Sequence, residues 1–87
     1  MRPLGLFLEV EARMNSAQNR YGNFASTHEA LGVACEEWDE LRDAIRGNDL
    51  SAVEHECLDL AAVLIRLAQS LRTPETARRS VKEEITA

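Results

Sequence analysis

Five carboxylates have the type and spacing to do chemistry together: Glu36, Glu37 and Glu40 in the run Glu36-Glu37-Trp38-Asp39-Glu40, and Glu56 and Asp59 in the run Glu56-Cys57-Leu58-Asp59. Both runs read as helix, and Gly47-Asn48-Asp49 between them reads as the turn that reverses the chain. Counting outward from that turn at about 1.5 Å per residue puts Glu40 roughly 10 Å and Glu56 roughly 9 Å away, with Glu37 at about 15 Å and Asp59 at about 13.5 Å. The members of each pair are level, so four carboxylates converge on one site. Two unit charges about 5 Å apart repel by roughly 3 kcal/mol at an effective dielectric of about 20. Several such pairs rival a domain's whole stability of about 5–15 kcal/mol, and a divalent cation removes the conflict. All four groups are hard oxygen donors, which suit Mg²⁺ or Mn²⁺. A di-iron bundle needs Glu-x-x-His. Here the third residue after Glu56 is Asp59, and the helical wheel turns His55 to another face. A lone Glu-Glu-x-x-Glu is ordinarily a solvated acidic face; the level Glu-x-x-Asp, set in an otherwise apolar helix, favours the metal.

The elements that must position these groups follow from apolar spacing. Phe7, Val10, Met14, Ala17 and Tyr21 step by three and four and predict a first helix from Leu4 to about Arg20, with Glu9, Arg13 and Arg20 outward and Gly22-Asn23 ending it. Ser26 and Glu29 form a capping box for the second helix. Its stripe of Leu31, Ala34, Trp38, Leu41 and Ile45 is expected to face the core, which keeps Trp38 off the site, while Glu37 and Glu40 lie on the half-buried flank. Gly47 is expected to end that helix in the left-handed conformation, and Ser51 with Glu54 to cap the third near Leu50. From Leu58 to Leu67 the third helix is apolar nearly all round, so it should be buried on more than one side, the extra side against a partner subunit. Tyr21 and Phe24 read as plugs closing the core end, with a base-stacking lid as the other possibility, and His28 reads as exposed or locally hydrogen-bonded. Arg66, seven residues beyond Asp59 on the same face, could meet a phosphate or form a salt bridge between helices. Thr73-Pro74-Glu75 reads as the start of a short last helix, with Ala77, Val81 and Ile85 as a thin apolar edge.

Eighty-seven residues bound the rest: they are expected to form a single domain, 1–87, whose modest core invites oligomerisation. A formal net charge of −5 argues against nucleic acid as a partner, and a phosphate ligand would need metal between itself and the protein. The N-terminal apolar run is broken at Glu9 and lacks a small-residue cleavage site, and Leu60 to Ile65 is far too short to cross a membrane. Cys35 and Cys57 are expected to be buried free thiols, which suits a cytoplasmic setting.

At its five carboxylates the chain resembles the MazG-like all-α nucleoside triphosphate pyrophosphohydrolases, whose signature is Glu-Glu-x-x-Glu followed after a short gap by Glu-x-x-Asp. The resemblance covers the hairpin, about residues 24–71. It implies an all-α fold, a helical hairpin plus flanking helices, assembling as a homodimer or homotetramer into something like a four-helix bundle. It also implies Mg²⁺-dependent hydrolysis of a (d)NTP to (d)NMP and pyrophosphate. Glu37, Glu40, Glu56 and Asp59 would be the metal ligands, and Glu36 a further ligand or the catalytic base that orients water. Arg78, Arg79 and Lys82 resemble the basic residues that the family places after its acidic motif to hold the triphosphate. Arg66, Arg78 and Lys82 are thus the candidate substrate-binding residues. The rival expectation is a non-catalytic oligomerisation or partner-binding module that retains an acidic metal site.

Overall fold

The computed structural model describes residues 2–72, which form three helices: α1 (Leu4–Tyr21), α2 (Thr27–Arg46) and α3 (Leu50–Ser70). The described residues are all-α, and none of their helices is long and apolar enough to cross a membrane. The segment that reads as a last helix, with Arg78, Arg79 and Lys82, lies outside the described residues.

Local chemistry accounts for each boundary. Ser26 Oγ accepts from the Glu29 N–H at 3.0 Å, and the Glu29 carboxylate accepts from the Ala25 N–H at 3.0 Å, so the expected capping box forms, reaching one residue further back than its usual target. The turn after α2 differs from expectation. Gly47 is right-handed (φ −81°), and the left-handed residue is Asn48 (φ 54°). The Asp49 N–H donates to Ala44 O at 3.2 Å and the Asn48 N–H to Ile45 O at 3.1 Å, the Schellman pair with Asn48 in the position usually held by glycine. Asn tolerates that conformation better than most residues. The same turn hands the N-cap of α3 to Asp49, whose side chain accepts from the Ala52 N–H at 3.1 Å. Ser51 is therefore inside the helix rather than capping it.

α3 is the central element and packs against both α1 and α2. Val10 of α1 meets Leu58 and Ala62 of α3, with Met14 and Ala61 beside them. Phe24 and Ala30 meet Val63, with Val33, Ala34 and Leu67 around them. The expected double burial of α3 is thus met inside one protomer, by α1 on one side and α2 on the other. Leu64 and Ile65 remain exposed.

The inward face of α2 is rotated from the expected one. Ala30 and Leu41 are buried and Val33, Ala34 and Ala44 half-buried, whereas Leu31, Trp38 (50% exposed) and Ile45 look outward. α2 carries two apolar stripes, and the one flanking the carboxylates meets α3. Of the two aromatics near the α1–α2 link, Phe24 is a plug, but Tyr21 is 72% exposed with the Arg20 guanidinium 5.8 Å from its ring centre. Cys35 and Cys57 are free but exposed, because they fall just off the inward faces of α2 and α3.

Candidate metal centre and adjoining cleft

The hairpin brings Glu37 and Glu40 of α2 against Glu56 of α3, with one carboxylate oxygen from each lying within 4.8 Å of the others. The expected level pairing of Glu40 with Glu56 is realised: they are close enough to hydrogen-bond whenever one of them keeps a proton. When both are ionised no donor is available, and the buried Oε2 atoms of Glu37 and Glu56 have no hydrogen-bond partner. The Glu37 carboxyl is pushed up to about 7, first by burial and then by the charges of Glu40, Asp59 and Glu56. Glu56 is also raised, by burial and then by Glu40 and Asp59. Burial and like charge both oppose ionisation here, and a hard divalent cation would relieve both at once. The residues present therefore fit such an ion: three convergent oxygens, two of them from carboxylates with a buried, unpartnered atom.

Asp59 is near but differently engaged. Its Oδ1 accepts from Arg13 Nε at 2.8 Å and its Oδ2 lies 3.2 Å from His55 Nε2. His55 also lies within metal-ligand range of Glu56 and Asp59, so the wheel argument that turned it away from the site is corrected: four residues along a helix, it leans over Asp59. Arg13, expected to point outward, is half-buried against Asp59. The signal was in the spacing, since Arg13 follows Val10 by three and precedes Ala17 by four and so shares the inward flank of α1.

Glu36 is exposed on the next position of α2, outside the three-glutamate group, and lines a cleft of about 790 Å³ between α1 and the hairpin. That volume falls in the ~300–1,000 Å³ range of small-molecule sites. Glu37 and Asp59 open onto the cleft from the acidic side, and Arg13, Arg20 and Tyr21 line it from α1. Arg66 also lines it but is only 8% exposed; it donates to Gly22 O at 3.0 Å and stacks 4.3 Å from the centre of the Phe24 ring. Burial lowers its pKa, an effect opposed by the Glu29 carboxylate. These contacts fasten the α1–α2 link to α3, where the sequence suggested a salt bridge between helices or a phosphate contact. His28 is exposed, as expected.

Compared with protein-family models, with curated proteins and with solved structures, the chain matches none.

Proposed function

We propose that this chain is a MazG-like pyrophosphohydrolase that cleaves a nucleoside triphosphate between its α- and β-phosphates, giving the monophosphate and pyrophosphate. The observation that carries the reading is the meeting of Glu37, Glu40 and Glu56 across the α2–α3 hairpin, with two buried oxygens lacking donors, at the edge of a nucleotide-sized cleft. These three glutamates, with Asp59 beside them, are the residues that would hold Mg²⁺ or Mn²⁺. Such an ion neutralises phosphate charge and lowers the pKa of an attacking water. Glu36 lies outside the three-glutamate group and lines the cleft, which supports it as the residue that would orient that water and take its proton. Arg13 and Arg20 line the same cleft from α1, which supports a phosphate chain as the ligand there. Arg66, Arg78 and Lys82 are carried over from the resemblance as candidate substrate-binding residues.

The outward stripe of Leu31, Trp38 and Ile45 on α2, with Leu64 on α3, supports a homodimer or homotetramer in which these faces are covered. Sedimentation should give a multiple of the 9.7 kDa chain mass, and a clean monomer at micromolar concentration refutes the assembly. The same stripe also favours the rival reading, a partner-binding module with a retained metal site. In our reading the protein works in the cytoplasm and binds neither nucleic acid nor membrane.

A panel of NTPs and dNTPs, incubated with Mg²⁺ or with chelator, separates enzyme from module. We expect pyrophosphate release with Mg²⁺ only, and a fall of about 10²–10⁴-fold for Glu36→Gln if Glu36 is the base. No release from any nucleotide leaves the module.

A further inference from the structure

The carboxylate that should complete the cation site is not free to do so. Asp59 Oδ1 accepts from Arg13 Nε at 2.8 Å, and its Oδ2 lies 3.2 Å from His55 Nε2. Arg13 also reaches His55 Nδ1 through a terminal nitrogen at 3.1 Å and Glu9 O through the other at 3.5 Å. A guanidinium can only donate, so Nδ1 of His55 accepts. Arg13 thus bridges Asp59 and His55 and ties α1 to α3 at the border of the acidic cluster.

That bridge divides the expected ligand set. Glu37 and Glu56 each keep a buried oxygen without a donor, whereas Asp59 accepts from Arg13. The Arg13–Asp59 pair is also breakable, because its side chains are 24% and 28% exposed and such pairs are worth little in water. Arg13 lines the cleft as well, where an anionic ligand would compete for its guanidinium with the two-pronged geometry that phosphate oxygens offer.

We propose that Arg13 is a latch: it holds Asp59 out of the cation site in the ligand-free protein and gives it up when a polyphosphate in the cleft takes the guanidinium. The cation then meets three glutamates before the nucleotide arrives and a fourth carboxylate afterwards. Arg13 is a positioning residue here, acting on the ion through Asp59. This rests on the cation site proposed above.

The test is a double-mutant cycle read by Mn²⁺ affinity, measured from the resonance of free Mn²⁺ in the absence of nucleotide. Arg13→Gln should tighten Mn²⁺ binding by a few-fold, up to about fivefold, the scale of a partly exposed ion pair. In an Asp59→Asn background the same substitution should change affinity little, since no carboxylate is left to release. Arg13→Lys, which keeps the charge but cannot span Asp59 and His55, should still tighten binding, and it stands in for Arg13→Gln if that variant does not fold. Inorganic tripolyphosphate without metal should move the Arg13 side-chain Nε–H resonance of the wild-type protein; an unmoved resonance overturns the release step. Equal tightening by Arg13→Gln in both backgrounds is the signature of a removed positive charge and overturns the latch, as does no tightening. Mn²⁺ binding in none of the proteins overturns the cation site itself, and the latch with it.

Discussion

Glu56 and Arg66 stand on the same helix, and each has a side-chain atom sealed from solvent without a hydrogen-bond partner, yet their surroundings are opposite. Around Arg66 the fold supplies what a buried cation needs: the Gly22 carbonyl at 3.0 Å, the face of Phe24 at 4.3 Å and the nearby charge of Glu29. Around Glu56 it supplies more of the same charge, from Glu40 and Asp59, with His55 as the opposing influence. A buried charge with compensating neighbours stabilises a fold, whereas one without them destabilises it until a ligand arrives. The Arg66 region is thus a fastening, and the Glu56 region a concentration of uncompensated negative charge.

The sharpest way to break that comparison is to remove the fastening. Arg66→Ala forfeits the stacking on Phe24 and leaves the Gly22 carbonyl without its donor. It should lower unfolding stability by about 3–4 kcal/mol, a large value for one substitution. Urea unfolding in chelator measures it, and a loss below about 1 kcal/mol would reduce Arg66 to a surface-like residue.

A smaller effect, opposite in origin, is expected from pH. The Glu37 carboxyl is raised from 4.5 to about 7, so the folded chain holds its proton more tightly than the unfolded chain does. The favourable contribution is complete below pH 4.5 and is lost as pH rises through about 7. At about 1.4 kcal/mol per pH unit the whole effect is at most about 3.5 kcal/mol, less whatever solvent screening removes. In chelator, the wild-type protein should therefore lose stability between pH 5 and pH 8 relative to Glu37→Gln. Parallel pH profiles for the two proteins would mean that Glu37 is not under the strain its neighbours imply.

The unequal legibility of these regions in the sequence has physical causes. The pairing of Glu40 with Glu56 could be read because a short turn and a fixed rise per residue set the register of a helical hairpin. The Ser26 cap could be read because it depends on neighbours within one turn. Which face of α2 turns inward could be read only in part: Ala34 and Leu41 of the expected stripe do face inward, but Leu31, Trp38 and Ile45 continue it on one side as well as Ala30 and Val33 do on the other, and only the docked α3 decides between them. The turn at Asn48 and Asp49 was misassigned to Gly47 and Ser51 by one and two positions, within the shift that competing cap residues allow. The engagement of Asp59 by Arg13 joins residues far apart in sequence, and it depends on where α1 docks, which apolar spacing does not state.

The uncompensated charge at Glu56 is tested most directly by the melting temperature of the wild-type protein and of Glu56→Gln across a titration of Mg²⁺ or Mn²⁺. The wild type should show a saturable rise, equivalent to about 2.7 kcal/mol when the ion reaches a hundredfold its dissociation constant. Glu56→Gln should show no rise, together with a higher starting point in chelator because one repelling charge is gone. A flat wild-type curve to millimolar ion, or an equal rise in both proteins, would contradict a cation site at Glu56.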